Sequence, residues 1–109
     1  MATIHKLVQG DTGPQFQITL TDEDSGAVID LTGGTVTLHF RAVGSTTVLF
    51  SRLFTLTDAA NGVATLQFNS GDLDQDAGRY EGEIEVVLAS GVRETLYDRM
   101  KFRLREDFA

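Results

Sequence analysis

The stretch from Asp76 to Leu88 constrains this chain more than any other. Tyr80, Gly82, Ile84, Val86 and Leu88 share one parity, while Glu81, Glu83 and Glu85 occupy the other. A period of two sustained this long defines a strand with one apolar and one wet face. Immediately upstream, Asp76-x-Gly78-x-Tyr80 has the spacing of a sheet-crossing corner. In such a corner the tyrosine opens the next strand and its hydroxyl bonds back to the turn's backbone. A half-apolar strand entered through a crossing corner requires a second sheet to cover it.

The remaining sequence supplies that sheet. Thr3 to Val8 is expected as an edge strand, and Gly10-Asp11-Thr12-Gly13-Pro14 as a turn. Phe16, Ile18 and Leu20 alternate with polar residues, as do Val36, Leu38 and Phe40. Asp58-Ala59-Ala60-Asn61-Gly62 is a hairpin signal, because Asn-Gly suits turns that need positive φ. Ala64, Leu66 and Phe68 then point inward, followed by one helical turn expected over Asp72 to Gln75. After Ser90-Gly91, the residues Leu96, Met100, Phe102 and Leu104 run back, with Asp98 a misfit placed at the sheet's rim. No stretch has helical period. About seven antiparallel strands in one domain, residues 1–109, predict an all-β, immunoglobulin-like β-sandwich.

Charge excludes several functions. Sixteen acids against nine bases give a net charge of −7, which opposes nucleic-acid binding. The chain has no cysteine, so thiolate metal sites and disulfides are ruled out. No apolar run reaches the roughly 18 residues that span a bilayer, and Met1 to Gln9 lacks a signal-peptide pattern. Neither a nucleic-acid nor a membrane partner is expected. Outward positions Glu81, Glu83 and Glu85 are expected to face Arg99, Lys101, Arg103 and Arg105 on the last strand as a self-paired stripe. On that expectation the acids cancel the field of any basic groove.

One acidic cluster invites a metal reading. Asp72, Asp74, Asp76 and Glu83 match the acidic offsets of a calcium loop, but Ala77 stands where that loop requires glycine, and the flanks are turn and strand. The acids are better read as shaping the corner, with Asp76, Gly78 and Tyr80 as its structural residues. His5 and His39 have no partner at ligand spacing, and no nucleophile with a base or Gly-rich phosphate loop is present. Neither a cofactor nor an enzymatic activity is expected.

The sequence resembles the phage baseplate upper protein N-terminal domain family, an immunoglobulin-like module of tailed-phage virions. The resemblance rests on Gly10-Asp11-Thr12 leading into Phe16 to Thr21, and on Val28-Ile29-Asp30-Leu31-Thr32-Gly33 before Val36 to Phe40. It continues through Thr57 to Val63 and Gly71 to Tyr80, so that it covers nearly the whole chain. The resemblance implies a non-enzymatic virion protein, assembled in the host cytoplasm, that docks to other virion proteins and forms homo-oligomers. Related members often continue into fibre or receptor-binding regions. This chain ends at Ala109, which favours a tail, baseplate or neck adaptor, or alternatively a head decoration protein. An extracellular carbohydrate- or receptor-binding module is the other alternative. It lacks tryptophan for an aromatic platform, and Tyr97 is its one candidate.

Leu49 and Leu53 are the candidate interface. Val48, Phe50, Phe54 and Leu56 share a parity that places Arg52 on their face and the two leucines off it. Either a bulge near Ser51-Arg52 restores the pattern, or both leucines face outward as a contact surface.

Overall fold

Alternation in the sequence becomes two sheets that share one apolar interior. The computed structural model describes residues 4–22, 24–95 and 99–108, so Leu96, Tyr97 and Asp98 lie outside the described residues. The strands are β1 (Ile4–Val8), β2 (Gln15–Thr19), β3 (Thr35–Ala42), β4 (Phe50–Leu53), β5 (Thr55–Asp58), β6 (Val63–Gln67), β7 (Gly78–Val87), β8 (Arg93–Thr95) and β9 (Met100–Arg105). One sheet has the order β1-β9-β7-β3-β4 with β8 also paired to β7, and the other has the order β2-β6-β5. The predicted all-β, immunoglobulin-like sandwich is the observed fold.

Two details correct the expectation. The described residues form nine strands instead of seven, because β4 and β5 are separate and a short β8 precedes β9. One pairing is parallel: β1 lies beside β9 in the register Ile4↔Lys101 to Val8↔Arg105. Parallel neighbours cannot be joined by a hairpin, and here nearly the whole chain separates them.

The interior is aromatic. Phe40 of β3 stacks on Tyr80 at 5.1 Å and on Phe50 at 4.7 Å, and meets Phe68 edge-on from the opposite sheet at 6.0 Å. Phe16 of β2 contacts Phe102 of β9 at 5.9 Å. Such pairs each add about 0.5–1.5 kcal/mol beyond the area they bury. Gly82 leaves room for Leu38 and Phe102 in this interior. It stands opposite Phe40, and a Cβ there would come within 2.3 Å of Leu38 Cδ1 and 3.2 Å of Phe102 Cε2.

The Asn-Gly signal does join β5 to β6, by a different turn from the one expected. A 3₁₀ turn spans Ala59–Asn61, and Gly62 alone takes positive φ, at 72°. The Gly62 N–H donates to Ala59 O and its carbonyl accepts from Leu20 N. A Cβ on Gly62 would lie 2.7 Å from Leu20 O, so both conformation and crowding select glycine.

Candidate functional site

The β4 edge and the turn before β7 meet through one ion pair. Register pairs Phe40 with Phe50, Leu38 with Arg52 and Thr37 with Leu53, without interruption. No bulge occurs at Ser51-Arg52. Arg52 therefore does enter the inward face, and Leu53 does face outward. The same parity continues through Phe54 and Leu56, which face the interior as the chain leaves one sheet for the other. The Phe54 N–H still donates to Val36 O, while Thr55 already pairs with β6.

Arg52 can face inward because Asp72 meets it there. Its Nε donates to Asp72 Oδ2 at 2.9 Å and an Nη donates to Oδ1 at 2.6 Å, a bidentate fork. Asp72 is 7% exposed, and its Oδ2 also accepts the Asn69 N–H at 2.8 Å. The guanidinium lies 5.7 Å from the Phe50 ring centre, which covers part of its flank.

The corner forms as its spacing predicts. Tyr80 Oη donates to Asp76 O at 2.5 Å, and burial first, then the Asp76 charge, push the phenol's pKa upward. Residues 70–73 form hydrogen-bonded turns, with Asp72 N donating to Asn69 O and Asp74 N to Gly71 O. The helical turn expected over Asp72 to Gln75 is absent.

The four acids of the metal reading have separate tasks. Asp72 holds Arg52, and the Asp76 carbonyl holds Tyr80. Asp74 is exposed, with Oδ1 on the side of Gly10. Glu83 lies on the outward face of β7, opposite His39. Among the described residues no three His, Cys, Asp or Glu side chains gather as a metal-holding group.

Both interface leucines reach the surface. Leu53 is 63% exposed and Leu49 43%, and β4 is the last strand of its sheet. Val48, next to Leu49 in the chain, is also exposed, and a cleft runs between Ser51-Arg52-Leu53 and Gln67-Phe68-Asn69, where the two sheets part. The leucines' off-parity position was visible in the sequence. The Arg52–Asp72 pairing was not, because the two residues are 20 apart and nothing local links them.

The acid–base stripe is only partly as expected. β9 pairs with just the first half of β7, from Gly78↔Leu104 to Gly82↔Met100, and β8 takes the second half. Glu81 accepts Arg41 at 2.7 Å and Arg99 at 3.5 Å, and Glu85 accepts Arg93 at 2.7 Å. Arg103 stands opposite Arg79 instead of a glutamate.

No family model matches the chain, and no curated protein matches it. Among solved structures, the crystal structure of CopC from Methylosinus trichosporium OB3b is similar at 9% sequence identity and a TM-score of 0.48, covering 94% of this chain and 85% of that one. That likeness is too distant to add to the fold assignment, which rests on the sheets described above.

Proposed function

We propose that this chain is a non-enzymatic structural component of a tailed-phage virion, docking to other virion proteins as a tail, baseplate or neck adaptor and forming homo-oligomers in the particle. The resemblance described in the sequence analysis supplies the virion context. The observation that supports docking is the terminal strand β4, where Leu53, with Leu49 and Val48 just before the strand, is exposed along an edge that has no further strand among the described residues. An open edge offers backbone hydrogen bonds to an added strand, and the side chains beside it offer apolar area. Arg52 and Asp72 anchor that strand from the inside, so the edge is presented without rearrangement.

The test is binding of the purified chain to phage particles, followed by pelleting and electron microscopy. The wild-type chain is expected to decorate particles, and Leu53→Glu to lose binding while keeping its melting temperature. Binding that survives Leu53→Glu on an intact fold rules out β4 as the contact. A chain that binds no particle component refutes the virion reading.

A further inference from the structure

The outward face of the larger sheet carries five cations with no ion-pair partner among the described carboxylates. Of the nine Lys and Arg residues, Arg41, Arg52, Arg93 and Arg99 pair with glutamate or aspartate. Lys6, Arg79, Lys101, Arg103 and Arg105 form no ion pair with any described carboxylate. These five form one patch. Lys6 registers with Arg103, and Arg103 with Arg79, making a row of three cations across β1, β9 and β7. Neighbouring strands are about 4.8 Å apart, so the row repeats positive charge at that interval. Lys101 and Arg105 flank Arg103 along β9 on the same face. Glu81, the carboxylate in register with Lys101, is already bound by Arg41 and Arg99.

Like charges directly opposite on a sheet are destabilising. The fold tolerates two such contacts in one row, although the chain has sixteen acids with which to relieve them. The arrangement costs stability in the isolated domain and gains it only when an anionic surface covers the row.

A matching surface exists at the other end of the same molecule. The row lies where β7 begins, while β7 ends at Val87 beside Thr35 and the loop that precedes β3. That end carries Asp22, Asp24, Asp30 and Asp58, all exposed. Asp22 accepts the backbone N–H groups of Ser25 and Asp24, and Asp30 accepts that of Thr32, which orders both carboxylates. The Ser25 N–H foremost, then that of Asp24, holds the Asp22 pKa below the ordinary range, and the Thr32 hydroxyl, ahead of its backbone N–H, does the same for Asp30. Asp58 is tied to the same end through Leu31 N, which donates to Ala59 O.

We infer that the row Lys6-Arg103-Arg79 is a docking face for the Asp22–Asp30 and Asp58 end of a second copy of this chain. The contact is head-to-tail, so each copy keeps one face and one end free, and repetition builds a ring or a filament. With the five cations set aside, the rest of the chain carries sixteen acids against four bases. A nucleic acid would meet that excess along its length, whereas a second copy presents its acids locally. At physiological salt, screening over about 8 Å leaves this local complementarity to decide. The inference deepens the oligomer part of the proposed function and rests on that part alone.

Sedimentation velocity on the full chain at about 0.03 M and about 0.5 M salt tests it. Wild type is expected to associate with rising concentration at low salt and to dissociate at high salt. Arg79→Glu with Arg103→Glu is expected to weaken association about tenfold or more, as is Asp24→Lys with Asp30→Lys. Mixing the two double variants restores association, because every contact then pairs opposite charges. Melting curves establish that each variant is folded. Wild type that stays monomeric at low salt overturns the inference, as does a basic-face variant that associates normally or a mixture that fails to recover. Binding of a DNA oligonucleotide through the row in the absence of self-association also overturns it, in favour of a nucleic-acid partner. Leu53→Glu separates the two readings: it is expected to leave self-association intact while removing particle binding.

Discussion

Arg52 and Asp72 clasp each other through two hydrogen bonds across 20 residues of chain, joining strand β4 to the turn that introduces β7. Their union fixes the one charged side chain that strand parity sends inward on β4. It also fixes the turn, since the same carboxylate accepts the Asn69 N–H.

Asp72→Ala is therefore expected to destabilise the domain by about 2 kcal/mol. Breaking a fully buried pair costs about 3–5 kcal/mol, and the discount reflects the 26% of the Arg52 side chain that reaches water. Asp72→Asn should cost less, because an amide oxygen still accepts from Asn69. Urea unfolding of both variants provides the comparison, and an Ala variant as stable as wild type would show that the pair contributes nothing.

Tyr80→Phe removes the bond to the Asp76 carbonyl and leaves the ring stacked on Phe40. A loss of about 1 kcal/mol is expected, the ordinary net value of one hydrogen bond. Self-association and particle binding should be unchanged, since the hydroxyl faces the corner. Thermal melts and sedimentation of the variant check both halves of the prediction.

Calcium is expected to leave the melting temperature unchanged. Both Asp72 oxygens are committed to Arg52, and a cation there would first have to displace a guanidinium. A melting temperature that climbs by several degrees with millimolar calcium, and falls again with chelator, would reinstate the metal reading of Asp72, Asp74, Asp76 and Glu83.

His5 provides a pH dependence with a definite sign. Its ring packs on Phe16 at 4.7 Å and on Phe102 at 5.6 Å, and burial lowers its pKa from the ordinary 6.5. Below that value the unfolded chain binds a proton that the folded chain resists. Stability is thus full above pH 6.5 and declines as pH falls from there through the lower folded pKa. His5→Phe should flatten the curve between about pH 7 and pH 5. An unchanged slope in that variant would assign the titration to another group.

Much of this fold is legible in the sequence because burial on a sheet writes itself every second residue. Val36-Leu38-Phe40 and Tyr80-Ile84-Val86 are buried as their alternation requires. The Asp76-Gly78-Tyr80 corner is equally local, with donor and acceptor four positions apart. What alternation cannot express is a change of sheet. Phe50, Arg52, Phe54 and Leu56 keep one inward parity straight through such a change, so alternation carries no sign of where β4 ends and β5 begins. Nor does it give the offset between strands. A stripe of glutamates and a stripe of arginines suggest mutual pairing, yet β8 displaces β9 from half of β7 and leaves Arg79 facing Arg103. The Arg52–Asp72 pair and the basic row both arise from this non-local geometry.

The parallel contact of β1 with β9 has a kinetic consequence. Ile4 finds its register partner only at Lys101 and Val8 only at Arg105, so β1 has no neighbour in its sheet until the last strand is in place. Closing so long a loop is slow, and a strand without a neighbour is open to wrong partners in the interval. Of the strands of this domain, the first in chain order is thus the last to be seated. A chain whose copies meet before that step can exchange β1 between them, which makes the end of folding and the start of assembly compete for the same strand.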